Sequence, residues 1–292
     1  MNQLSLLPLE LLLCFAFLLG AVVGSFLNVV IYRLPKILSE NWTEECRTYL
    51  QIDTDSAKGS SKGNDTTKKT SLLWPSSSCP HCGNKIRPWH NLPILGYLLL
   101  KGRCKDCNEK ISPRYPIVEL IAGILSVLVI WKFGASYQGL AALIITWALI
   151  TLTGIDFDEH LLPDCITLPL LWAGLIANSF GVFTDLESAL WGAVVGYLSL
   201  WSVYWIFKII TGKEGMGFGD FKLLAALGAW LGWSYLPTII LLSSVVGLVF
   251  AILFMLFSGN KKGAPIAFGP YLAVAGWLCL FIGPEILSFL NI

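Results

Sequence analysis

Long apolar runs dominate this chain, separated, except at 33–115, by breaks too short to hold a soluble domain. They lie at roughly 9–32, 116–132, 138–155, 161–180, 188–210, 220–234, 237–257 and 267–289. A helix crossing a bilayer needs about 20 mostly apolar residues, so the pattern predicts an all-α polytopic membrane protein with about eight transmembrane helices. Charged residues make up 13% of the 292 residues, against roughly a quarter in a soluble globular domain. With a net charge of +1 and no basic face, nothing suggests a nucleic-acid partner. The first run has no preceding Lys or Arg, so it reads as a retained helix rather than a cleavable signal.

The exception to the apolar pattern is residues 33–115. Fourteen of the twenty Lys and Arg residues fall between Arg33 and Arg114. Arg33 and Lys36 follow the first run directly, which by the positive-inside rule puts that flank, and hence 33–115, in the cytoplasm. Threading eight spans brings the loops near 156–160, 211–219 and 258–266 to the same side. Lys208, Lys213, Lys222, Lys261 and Lys262 flank those loops, and Lys132 alone falls opposite. The chain divides into a first transmembrane helix (1–32), a cytoplasmic cysteine domain (33–115) and a seven-helix membrane core (116–292). Within the second unit, 42–73 is rich in Thr, Ser, Asp and Lys and reads as a mobile insertion.

Four of the eight cysteines form two pairs, Cys79-Pro-His-Cys82 and Cys104-Lys-Asp-Cys107. Two such knuckles supply four thiolates, a tetrahedral sulfur set suited to a structural Zn²⁺. Disulfides would be out of place in a reducing cytoplasm, and a redox dithiol needs one pair in a βαβ setting, not two in a basic loop. His81 is a weaker alternative ligand. Cys14, Cys46, Cys165 and Cys279 are scattered, and three lie in or beside apolar runs, where small buried hydrophobes are expected.

Acidic residues at span ends are costly and point to function. One group is Asp156, Asp158, Glu159 and Asp164, between the third and fourth runs. The other is Asp220, after Gly215-Met-Gly217-Phe-Gly219, where glycines would let a substrate backbone approach. Each alone has a plain explanation: a solvated loop for the first, a helix N-cap for Asp220 or Asp164. Together they allow paired-carboxylate hydrolysis, in which one acid keeps a proton and the other activates water. No HExxH motif competes, and there are only three histidines, His81, His90 and His160. Spacing alone does not choose among Asp156, Asp158 and Asp164. A transporter or channel with a zinc-stabilised cytoplasmic domain is the alternative reading, with the same acids as ion ligands.

These segments resemble the type IV prepilin leader peptidases, bifunctional aspartyl proteases of the GxGD class. The likeness runs along nearly the whole chain. It includes Gly24-Ser-Phe-Leu-Asn-Val-Val-Ile-Tyr-Arg33-Leu-Pro35, both cysteine pairs, Arg114-Tyr-Pro-Ile-Val-Glu119, Asp156 with Leu-Pro-Asp downstream, Gly215 to Lys222, and Phe268-Gly-Pro-Tyr271. The resemblance implies Asp156 and Asp220 as the catalytic pair. It implies prepilins and pseudopilins as substrates, each with a short basic leader and a membrane-lodged helix, cut after a glycine at the cytoplasmic face of the bacterial inner membrane. It also implies N-methylation of the new terminus with S-adenosylmethionine. No glycine-rich methyltransferase loop is visible, and the neighbourhood of the cysteine domain is the expected place for that cofactor.

Overall fold

A computed structural model describes residues 8–50, 71–72, 77–79, 81–258 and 267–290. The described chain is helical, with two isolated β-bridges, Ser78 to Lys85 and Arg103 to Lys110, in the cysteine region. Its helices are α1 (Leu9–Tyr49), a short α2 (Leu95–Leu99), α3 (Arg114–Phe133), α4 (Tyr137–Glu159), α5 (Asp164–Ser179), α6 (Leu186–Thr211), α7 (Phe218–Leu231), α8 (Leu236–Ser258) and α9 (Gly269–Leu290). Apart from α2, these eight helices occupy the eight apolar runs. Five of them, in α1, α3, α4, α6 and α8, are long and apolar enough to cross a membrane. The outward faces of α1 and α6 carry exposed Leu, Phe, Val and Trp side chains, as a surface solvated by lipid rather than water requires.

Two boundaries differ from expectation in ways that matter. α1 runs past residue 32, through the buried Pro35, to Tyr49. The apolar stretch ends at Tyr32 but the helix does not: it goes on to bury Leu34 and Pro35, and Arg33 donates to the carbonyls of Ser71 (3.1 Å) and Leu72 (3.3 Å) in the returning chain. Residues 42–49 of the expected insertion are therefore helical, and 51–70 and 73 lie outside the described residues, as do 259–266. α4 continues through the expected 156–160 loop as far as Glu159. It stops because His160 adopts the left-handed conformation (φ 51°) and its N–H caps the carbonyl of Asp156 at 3.0 Å.

At the centre stands α7. From Asp220 to Leu231 every residue but Lys222 is buried, so this helix is apolar all round, as an enclosed helix should be. It packs against α5, α6 and α9. Without water between helices, association in a bilayer relies on close van der Waals contact, which small residues permit. The sequence Gly-Ala-Val-Val-Gly occurs twice, at 20–24 in α1 and 192–196 in α6, and both copies do this work. Gly192 meets Gly228 of α7 backbone to backbone, and a Cβ at Gly196 would stand 2.9 Å from the Leu224 carbonyl. A Cβ at Gly24 would stand 2.8 Å from Cα of Glu119 on α3.

The C-terminal end of α7 leaves carbonyls without helical partners. Buried Asn178 answers them: its Nδ2 donates to Ala229 (2.8 Å) and Trp230 (2.9 Å), and its Oδ1 accepts from the N–H groups of Phe183 and Thr184. Trp230 donates to the Leu170 carbonyl at 2.8 Å, its indole lying where a side chain at Gly174 would be.

Cys279 is buried as expected, but Cys14 and Cys165 are exposed. Each lies on the outer side of its helix, where a small apolar residue suits lipid as well as it suits a core.

Candidate active site

Asp156 lies in the last turn of α4 and Asp220 in the first turn of α7, and the fold brings them to one end of the bundle. Their side chains are buried, with residue exposures of 5% and 6%, and the two carboxyl groups lie near enough to act on one another electrostatically. Asp220 is the third residue of α7. Its carboxylate reaches back to the backbone of Gly217, the N-cap, in the manner of half a capping box. It is therefore in the first turn and not itself the N-cap. Asp156 faces the backbone of Gly269, where α9 starts. Asp220 thus sits at the positive end of its own helix, and Asp156, at the C-terminal end of α4, faces the positive end of α9. The Oδ2 atom of Asp156 is buried and has no hydrogen-bond partner among the described residues.

The other acids are placed differently. Asp158 pairs with Arg114, which also donates to the Gly154 carbonyl at 3.3 Å. Asp164 receives both its hydrogen bonds from Lys222, at 2.7 Å each. Their side chains are 32% and 55% exposed. These two pairs tie α3 to α4 and α5 to α7 around the buried acids. His160 serves as the α4 cap.

Two residues not singled out by chemistry shape the site. Leu162 lies between the glycine segment and α9: a Cβ at Gly219 would stand 2.6 Å from its Cβ, and one at Gly269 would stand 3.1 Å from its Cδ1. The same Cβ at Gly269 would stand 2.6 Å from Oδ2 of Asp156. The space at Gly219 is thus taken by Leu162, not left for a substrate. Gly217 is the glycine that flanks the Asp220 carboxylate, with room for an ordinary 3.7 Å contact. The Phe268-Gly-Pro-Tyr271 motif is visible in sequence, but its contact with Asp156 needs the fold. The glycine segment is tethered to α6 by Lys208, which donates to Glu214 (2.9 Å) and Tyr204 (3.1 Å).

The sulfur atoms of Cys79, Cys82, Cys104 and Cys107 lie within 4.8 Å of one another, a set that could hold a metal ion. The Cys79 to Cys107 separation is 3.8 Å, matching the edge of ~3.8 Å in a tetrahedron of metal–sulfur bonds of about 2.3 Å. Each pair sits in the same tight turn. Gly83 N–H returns to the Cys79 carbonyl at 2.9 Å, and Asn108 N–H returns to that of Cys104 at 3.0 Å. Both turn residues have positive φ, 72° and 56°. The N–H groups of Cys82 and His81 draw the Cys79 thiol down to about 6. At Cys107 the Glu109 N–H acts the same way, but desolvation and the other three thiols push it up to about 12. Four thiols so crowded ionise against one another, a conflict a divalent cation removes. His81 points instead toward Glu109, 3.9 Å away.

Residues 18–133 match the model of the bacterial peptidase A24 N-terminal domain, and 143–252 match that of the type IV leader peptidase family. The chain is 53% identical over 279 residues to a prepilin leader peptidase/N-methyltransferase of Stutzerimonas stutzeri, covering 96% of this chain and 93% of the relative. It is 51% identical over the same length and coverage to the protein of that name from Pseudomonas aeruginosa. It is 50% identical over 264 residues to that of Neisseria gonorrhoeae, covering 90% of this chain and 88% of the relative. No solved structure matches the chain significantly. With half of its residues shared along almost its entire length, this chain belongs to the type IV leader peptidase family.

Proposed function

We propose that this protein cleaves the leader peptides of type IV prepilins and pseudopilins after a glycine, with Asp156 and Asp220 as the catalytic pair. It then methylates the new N-terminus, with S-adenosylmethionine as donor. The observation that supports the reading is that two buried carboxylates converge at one end of the bundle, with Leu162 packed at both Gly219 and Gly269 beside them, while Asp158 and Asp164 are held in ion pairs. Relatives bearing the prepilin leader peptidase/N-methyltransferase name supply the substrate class and the second activity. None of them favours the transporter alternative.

One carboxylate takes a proton from water as the water attacks the scissile carbonyl, and its protonated partner polarises that carbonyl. The helix starts at Gly217 and Gly269 hold the two acids in register, and Leu162 fills the space between and limits bulk water. The site is at the end of the bundle that carries Arg33, Arg114, Lys208 and Lys222, the end we assign to the cytoplasm. There a prepilin whose hydrophobic helix lies in the inner membrane would present its leader junction. We divide the chain into the first transmembrane helix (1–32), the cytoplasmic tetracysteine domain (33–115) and the membrane protease core (116–292). In the second unit Cys79, Cys82, Cys104 and Cys107 hold a structural Zn²⁺. With four protein ligands that site is closed, so its contribution is folding energy. S-adenosylmethionine supplies an activated methyl group.

The test is cleavage of a purified prepilin by protein in lipid nanodiscs. Asp156→Asn and Asp220→Asn each lower the cleavage rate by at least about 1,000-fold, about 4 kcal/mol in the barrier. Insertion and melting temperature stay as in the unmodified protein. Retained cleavage in either variant defeats the paired-acid mechanism.

A further inference from the structure

The unit assigned to the cytoplasm carries an apolar surface that water does not suit. Trp89, Leu95, Leu98 and Leu99 are each between 58% and 72% exposed. Single exposed leucines are ordinary on any protein, but these are not scattered. Leu95, Leu98 and Leu99 fall at i, i+3 and i+4, so they share one face of α2. Trp89 lies in the preceding turn of 3₁₀ helix, Pro88–Asn91, and that turn is pressed so close to α2 that Gly96 abuts the His90 carbonyl. None of the four side chains lines the cavity that the cysteine hairpins form with α1 and α3. They face outward. A contiguous exposed apolar patch marks a protein or membrane contact.

Two contacts fix the depth of this surface. The N–H of Ile94 donates to Oε2 of the buried Glu119 at 2.7 Å. Glu119 lies in the second turn of α3, a helix apolar enough to cross a membrane. It is five residues past Arg114, or about 7–8 Å along the helix. Gly24 of α1 stands against the Cα of Glu119, and Arg33 is nine residues further along α1, or about 13 Å. Ile94 therefore sits below both arginines, at a level where α3 exposes Ile117, Leu120 and Ile121 on its outer face. An N–H in hydrocarbon finds no water and must be answered by protein, which gives the buried Glu119 carboxylate its task. The rest of the backbone is answered from within: the N–H groups of Gly96, Leu98, Leu100 and Gly102 reach the carbonyls of Leu92, Ile94, Gly96 and Tyr97. The rim of the patch is basic. Lys85, Arg87, Lys101 and Arg103 are all exposed, and no acidic residue falls between them.

We propose that residues 85–103 form a re-entrant anchor, by which the cysteine module is seated in the cytoplasmic leaflet of an anionic bilayer. Leu95, Leu98 and Leu99 enter the acyl layer. Trp89 lies at the headgroup boundary, where indoles collect. The four basic side chains meet lipid phosphates, as on other interfacial segments. Two observations name the lipid surface as the occupant: the charge of the rim, and the continuity in depth with the lipid-facing side of α3. One turn of the unit assigned to the cytoplasm is thus inside the membrane. It gives the module a third attachment besides α1 and α3, and it depends on neither proposed reaction.

The test uses the full-length protein with its metal in place, in nanodiscs of phosphatidylethanolamine, phosphatidylcholine and phosphatidylglycerol. In the unmodified protein, phospholipids carrying a diazirine on the acyl chain label the tryptic peptide 86–101 on irradiation, read by mass spectrometry. A benzophenone amino acid in place of Leu98 gives adducts with lipid when no substrate is present, and phosphatidylglycerol exceeds its share of the bilayer among them at least about threefold. Lys101→Glu with Arg103→Glu brings that enrichment close to unity while the bound metal stays at its original level. The absence of label in 86–101 and of lipid adducts at 98 overturns the anchor. Adducts at 98 with a second copy of the chain, or with added prepilin, in place of lipid assign the patch to that occupant and overturn it equally. Lipid adducts without phosphatidylglycerol enrichment overturn the role of the basic rim.

Discussion

Gly269 leaves no room for a methyl group beside Asp156, and that contact gives a sharper test of the site than deleting an acid. In Gly269→Ala the new Cβ would stand 2.6 Å from Oδ2, so the carboxylate must move while the helix start is otherwise tolerant of alanine. A misplacement near 1 Å can cost about 100-fold, and we expect a loss of that order in kcat/KM for prepilin cleavage, with the melting temperature nearly unchanged. The neighbouring acids give the contrast. Asp158→Asn and Asp164→Asn remove partly exposed ion pairs worth about 0–1 kcal/mol each, so each should slow cleavage less than tenfold in the same assay. At this scale the sequence was only partly legible. Asp156, Asp158 and Asp164 carry the same functional group within nine positions, and spacing offers no reason to prefer one. The family likeness points to Asp156. The physical difference is burial, which depends on His160 ending α4 and on α9 arriving from more than a hundred residues away. Leu162 gave no signal, since an apolar residue in an apolar chain is not informative.

Among the elements, the helices were legible and their ends were not. Apolar runs mark where lipid or core is met, but a helix continues wherever its backbone bonds are satisfied. That is why α1 extends to Tyr49 and why α4 includes Asp156. The close packing of α6 on α7 was also readable in retrospect: the repeated Gly-Ala-Val-Val-Gly is a small-xxx-small pattern, and each copy lies against a partner helix. The far end of α7 was not readable, because Asn178 looks like any polar residue at a helix end. Asn178→Ala strips two carbonyls and two N–H groups of their partners at once. Unsatisfied buried groups cost ~1–3 kcal/mol each, and with partial relaxation we expect a total loss of about 3 kcal/mol. Thermal unfolding in detergent should show it as a clear drop in melting temperature. Asn178→Asp, which sets a buried carboxylate against the Ala229 and Trp230 carbonyls, should be at least as destabilising as alanine.

Across the whole molecule, a cysteine module is bolted to a helix bundle through α1 and α3, and the two can be perturbed separately. Cys79→Ser should lower bound zinc below one equivalent and raise the protease sensitivity of residues 77–111, while the bundle from α4 to α9 stays resistant. Limited proteolysis with mass spectrometry, alongside metal analysis, measures both. An unchanged zinc content would count against the four-cysteine ligand set. The pairing of the knuckles was evident from spacing, since CxxC turns are local. The cavity of about 710 Å³ between them, α1 and α3 was not, because its walls come from 25–33, 77–112 and 115–119, which meet only in the fold.

α7 has 14 residues, or about 21 Å of helix, against a hydrocarbon layer of ~30 Å. If its far end, closed by Asn178, reaches the opposite surface, Asp220 lies several ångströms below the near one. α5, with 16 residues, is scarcely longer, and its outer face meets the acyl chains. Beside α5 the membrane then has a thin spot, and lipids with shorter tails match that face with less distortion. Turnover in vesicles of graded acyl length should peak at the thinner end of the series, so the bilayer itself becomes a variable in the rate.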